Sequence, residues 1–97
     1  MAYKVLIKNE APEYTSETIC DVEGNVKFKI VSENGNAYSY LRIYIYTHNG
    51  DLAIVANEYD IPDYKAVRYY HSDEERLAGN RANLAVAEKY IKKVWKY

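Results

Sequence analysis

Apolar residues recur with period two along the first two thirds of the chain and with a helical period after Ser72. Residues 3–8 alternate and include β-branched side chains, which predicts a first strand. Residues 9–17 are polar and predict a connection, and residues 18–22 predict a short second strand. Three further strand-like runs, residues 25–33, 37–47 and 51–57, are separated by Asn34-Gly35 and Asn49-Gly50. Asn-Gly suits a two-residue type I′ hairpin turn, because both central residues there need positive φ. Two such hairpins in succession predict a meander. Pro62 interrupts the next segment, and residues 64–70 predict another strand.

Beyond it, Leu77, Leu84, Ala87, Ile91, Val94 and Trp95 fall on one arc of a helix. Ser72 followed by Glu75 is a capping-box signature, and acids lead while lysines close the segment, as the helix dipole prefers. Gly79-Asn80 lies inside this helix, as a close approach to the sheet or as a break. Asn80 falls on the apolar arc, so its amide is expected to find a backbone partner.

Two-residue loops fix a register. Glu33 then faces Asn36, Ile30 faces Ser39, Phe28 faces Leu41 and Val26 faces Ile43; Thr47 faces Leu52, Ile45 faces Ile54 and Ile43 faces Ala56. One face of the sheet gathers Val26, Phe28, Ile30, Leu41, Ile43, Ile45, Leu52 and Ile54, an apolar core for the helix to cover. The fold expected is one α+β domain over residues 1–97: a mainly antiparallel meander of five or six strands, packed on one face by a C-terminal helix.

The opposite face is more unusual. The central strand points Tyr38, Tyr40, Arg42, Tyr44 and Tyr46 to it, with Lys27, Lys29 and Val31 on one neighbouring strand and Ala53, Val55 and Asn57 on the other. Composition sharpens this, since tyrosine occurs 12 times against one Phe and one Trp. Tyrosine has an apolar body and a polar tip, and with arginine it is enriched at the centres of protein interfaces. Aromatic residues beside lysines on a sheet are also how single-stranded RNA or DNA is bound, by base stacking and phosphate contacts.

Charge adds a second feature. The totals nearly cancel, 13 basic against 14 acidic residues, so no partner is found by bulk charge. Yet residues 9–25 hold Glu10, Glu13, Glu17, Asp21 and Glu23 with no lysine or arginine, and residues 48–63 hold Asp51, Glu58, Asp60 and Asp63 with none. Glu10, Glu13 and Glu17 with Tyr14, and Asp60 with Tyr59, are candidates to dock on a basic groove of a partner.

Chemistry of other kinds finds little support. No phosphate loop, dinucleotide fingerprint or metal-ligand spacing occurs, so neither metal nor cofactor is expected. His71, Ser72 and Asp73 supply the residue types of a hydrolase triad, but adjacent residues cannot converge on one substrate atom. Cys20 is the single cysteine and is expected to be a small buried apolar residue. With no signal peptide or membrane span in view, a cytoplasmic location is expected. The function expected is non-catalytic protein binding, as by an inhibitor or immunity-type protein encoded by a phage or mobile element and docking on a nucleic-acid-processing enzyme. The alternatives are a single-stranded RNA- or DNA-binding domain using the tyrosine face, and a homodimer closed by that face.

Overall fold

The computed structural model describes residues 3–21, 23–24, 26–34, 38–66 and 72–95. It has the expected α+β architecture. Five strands, β1 (Tyr3–Glu10), β2 (Tyr14–Asp21), β3 (Lys27–Asn34), β4 (Ser39–Tyr46) and β5 (Leu52–Asn57), form an antiparallel meander in chain order. One helix, α1 (Asp73–Val94), packs across β2, β3 and β4.

The polar stretch at residues 9–17 is mostly strand, not a connection. β1 runs to Glu10, β2 starts at Tyr14, and only residues 11–13 turn the chain. Thr15, Ser16, Glu17 and Thr18 are all buried, because β2 lies inside the sheet between β1 and β3. On the helix side Thr15 and Glu17 stand opposite Ser32 and Ile30 of β3, and on the other face Ser16 and Thr18 stand opposite Val31 and Lys29. Polarity marked this segment as a loop only because its burial comes from tertiary neighbours.

The first predicted hairpin closes differently. Asn34 does not open a two-residue turn; it is the last residue of β3 and pairs with Ser39. Phe28 therefore faces Ile45, Ile30 faces Ile43 and Ser32 faces Leu41, a displacement of four residues from the expected partners. An even displacement leaves every side chain on its expected face, so the core survived the error.

The second hairpin has a three-residue loop. Gly50 N–H donates to Thr47 O and Thr47 N–H to Asp51 O, with Gly50 at φ +86°, which is a turn closed by a left-handed glycine. This shifts the register by one, so Leu52 faces Tyr46 and Ile54 faces Tyr44. A bulge between Ile54 and Ala56 then restores the expected Ile43–Ala56 pair. Leu52 and Ile54 consequently leave the core for the tyrosine face, and Ala53 takes the place opposite Ile45. Of the expected strand at 64–70, residues 64–66 are not strand, and the remainder lies outside the described residues.

Helix α1 starts where the capping signature placed it: Ser72 Oγ accepts from Glu75 N–H at 3.2 Å. It runs unbroken through Gly79-Asn80. Its C-terminal half buries Leu84, Ala87 and Ile91 against Phe28, Ile30, Leu41 and Ile43. Trp95 packs edge-on against Phe28 at 5.5 Å between ring centroids, whereas Val94 is exposed. The N-terminal half is different, because its buried side chains are Arg76, Asn80 and Asn83. Asn80 Oδ1 accepts from Asn34 Nδ2 and from Ser32 Oγ, each at 2.7 Å, and Asn80 Nδ2 donates to Pro12 O at 2.9 Å. Its amide thus has the expected backbone partner and two side-chain partners besides. Arg76 donates to Asn34 O at 2.7 Å, and Asn83 clasps the backbone of Lys65 through both of its amide atoms. The helix is held by apolar packing at one end and by a hydrogen-bonded polar cluster at the other.

Candidate functional site

The sheet face turned away from α1 carries the tyrosines. Because β4 alternates strictly, Tyr40, Arg42, Tyr44 and Tyr46 all point to it, and Tyr38 leads into the row, 54% exposed. Tyr38 and Tyr40 stack, with ring centroids 6.3 Å apart and planes only 3° from parallel. The Arg42 guanidinium lies over the Tyr40 ring at 4.0 Å, and Lys27 Nζ lies over the Tyr46 ring at 4.5 Å. The register sets Lys29 opposite Tyr44, Val31 opposite Arg42 and Glu33 opposite Tyr40, in place of the pairs expected from a two-residue turn.

These neighbours tune the polar tips. Burial, together with a hydrogen bond to Glu33, pushes the Tyr40 phenol up to about 12, so it stays neutral. A hydrogen bond to Tyr44 makes the Arg42 guanidinium hold its proton more tightly than usual. Rings and cations are therefore fixed to one another before any partner arrives, which lowers the entropy lost on binding. β5 extends the surface with the apolar side chains of Leu52 and Ile54 beside Tyr46 and Tyr44. Sequence reasoning missed both, since the three-residue loop that turns them outward needed the geometry of Gly50.

The acidic candidates are dispersed. Tyr14 joins the tyrosine face opposite Glu33. Glu10 lies on the helix side in an ion pair with Arg81, and Glu13, in the β1–β2 turn, lies 3.7 Å from Arg76. Glu17 is buried on the helix side against Glu88. Burial first, and the bond to Glu88 second, push its carboxyl up to about 8. Tyr59 is 90% exposed in the turn after β5, and Asp60 accepts from Asn57 N–H there. Asp60 also borders a groove of about 340 Å³ shared with Asp63, Lys89 and Lys93 of the turn and helix. Thus Tyr14, Lys27, Lys29, Tyr38, Tyr40, Arg42, Tyr44 and Tyr46 share one surface, while Glu10, Glu13 and Glu17 lie toward the helix, Glu17 buried and Glu10 and Glu13 exposed.

Among the described residues no group of three His, Cys, Asp or Glu side chains could hold a metal ion, and no helix is long and apolar enough to cross a membrane. Cys20 is buried. Comparison with protein-family models, with curated proteins and with solved structures finds no match to this chain.

Proposed function

We propose that this protein acts without catalysis, by binding a protein partner through its tyrosine face, in the manner of a small inhibitor or immunity-type protein. The observation that carries the proposal is the ordered ladder Tyr38–Tyr40–Arg42–Tyr44–Tyr46, continued at its side by exposed Leu52 and Ile54. Tyrosine and arginine supply large contact areas at small entropic cost, and apolar side chains beside them suit a desolvated interface core. Arg42 and Lys27 lie over the protein's own rings. Cations held in that way are better placed to order an aromatic surface than to reach out to phosphates, which favours a protein over a nucleic acid.

The test is affinity capture from cells of the source organism with the wild type and with Tyr38→Ala, Tyr44→Ala and Glu13→Lys. The tyrosine variants are expected to lose the captured partner, at about 2 kcal/mol or roughly 30-fold in affinity each. Glu13→Lys, on the helix side of the molecule, is expected to retain it. Retention by both tyrosine variants overturns the proposal. Titration of labelled single-stranded oligonucleotides at two salt concentrations is the companion measurement. Salt-sensitive binding that Tyr44→Ala abolishes would replace the protein partner by RNA or DNA.

A further inference from the structure

Among the described residues the exposed aliphatic side chains are concentrated on the two edge strands. Val5, Leu6 and Ile7 of β1 are 50, 47 and 56% exposed, and Leu52, Ile54 and Val55 of β5 are 44, 53 and 38% exposed. β1 and β5 end the strand order, so among the described residues no strand pairs with their outer edges. Edge strands are commonly guarded by an inward charge or a proline. β5 contains neither, and the apolar triplet of β1 has none within it.

The flanks differ in sign. Lys4 and Lys8 bracket the β1 triplet, whereas Asp51 and Glu58 bracket the uncharged β5. Like edges are poorly matched. Two β5 strands overlapped in full and antiparallel would set Asp51 against Glu58 at both ends, and two β1 strands centred on Leu6 would set Lys4 against Lys8. Unlike edges match: an antiparallel overlap that sets Lys8 opposite Asp51 also sets Val5 opposite Ile54 and Ile7 opposite Leu52, and opposes no like charges. We infer that β1 of one copy of this chain docks on β5 of another, extending the sheet head to tail. Each added copy leaves one β1 edge and one β5 edge free, so the contact is heterologous and repeats into a ring or a filament. It goes beyond the tyrosine-face proposal and uses the backbone edges, sharing Leu52 and Ile54 with that face. Each edge strand also carries a bulge, between Val5 and Ile7 and between Ile54 and Ala56. The regular ladder on offer is therefore short, and association on the order of 0.1 mM is expected, the weak end for specific contacts.

Sedimentation of the full chain from about 10 μM to about 1 mM tests this, with the variants Leu6→Lys and Ile54→Lys. The wild type is expected to self-associate at low salt and less so at high salt, as flanking charges are screened. Each variant alone is expected to be monomeric. An equimolar mixture of the two is expected to form a 1:1 complex, because Ile54→Lys keeps an intact β1 edge and Leu6→Lys an intact β5 edge. A wild type monomeric throughout, a mixture that stays monomeric, or a single variant that still dimerises through two like edges each overturns the inference. Circular dichroism confirms that both variants fold. If either does not, amide shifts of the wild type on dilution decide: changes confined to β1 and β5 support the contact, and changes elsewhere or none refute it.

Discussion

Asn34 at the end of β3 and Asn80 in α1 are joined side chain to side chain by a 2.7 Å hydrogen bond, 46 residues apart and both fully buried. Ser32 and Pro12 bond to the same Asn80 amide, so one side chain ties β3 and the β1–β2 turn to the helix. Asn34 makes this bond from the last position of β3, where it pairs with Ser39.

Asn80→Leu keeps the volume but strands the buried Ser32 hydroxyl, leaves Asn34 Nδ2 only its 3.4 Å bond to Arg76 O, and removes the donor to the half-buried Pro12 carbonyl. A loss of about 3 kcal/mol is expected in urea unfolding, because a buried polar group without its partner bears its full desolvation penalty. The double variant Asn34→Leu/Asn80→Leu is expected to lose less than the sum of the single losses, as partners in one network do. Strict additivity would show that the two side chains are not coupled.

Glu17 makes stability depend on pH. Its carboxyl is pushed from the ordinary 4.5 up to about 8, by burial and then by Glu88, with Lys8 and Glu10 of β1 and Arg81 of α1 also bordering or acting on the site. The folded chain thus holds this proton more tightly than the unfolded chain, and the resulting stability is complete below about pH 4.5 and declines as pH rises to about 8. Urea midpoints at pH 5, 6.5 and 8 are expected to fall in that order. Glu17→Gln, which stays neutral at every pH, is expected to flatten the series; an unchanged slope would assign it to other groups.

Trp95 closes the apolar end. Its ring meets Phe28 edge-on, and Tyr3 donates to its carbonyl at 3.3 Å. Trp95→Ala is expected to cost about 2 to 3 kcal/mol, below the loss for a fully enclosed tryptophan because the ring is half-buried. As Trp95 is the single tryptophan, its emission is expected to shift to the red on unfolding, together with the loss of circular dichroism.

Gly50 sets the face on which Leu52 and Ile54 lie. An added Cβ there meets nothing within 4 Å, so substitution tests backbone conformation alone. Gly50→Ala is expected to lower stability by about 1 kcal/mol, and Gly50→Asn by less, because asparagine tolerates positive φ. Thermal unfolding of the two variants checks the order.

The residues that build the fold were readable because period and punctuation are local properties. Val26, Phe28, Ile30, Leu41 and Ile43 are core because alternation put them on one face, and a register error of an even number of residues could not move them. Ser72 capped the helix because its hydroxyl needs only the N–H three residues on. The tyrosine face followed from the same alternation along β4. What the chain alone did not reveal depended on partners distant in sequence. Thr15, Glu17 and Arg76 look like surface residues until neighbouring elements enclose them, whereas Asn80 was placed inward by the helical arc and only its side-chain partners Ser32 and Asn34 were not foreseen. Leu52 and Ile54 look like core until a one-residue change in loop length turns them outward, since in a strand each residue of slip exchanges the two faces. The sequence by itself determined which elements form and which side of β4 is aromatic; the tertiary structure decided which polar groups are buried and which apolar ones border the tyrosines, because burial and register are set by contacts across the sheet.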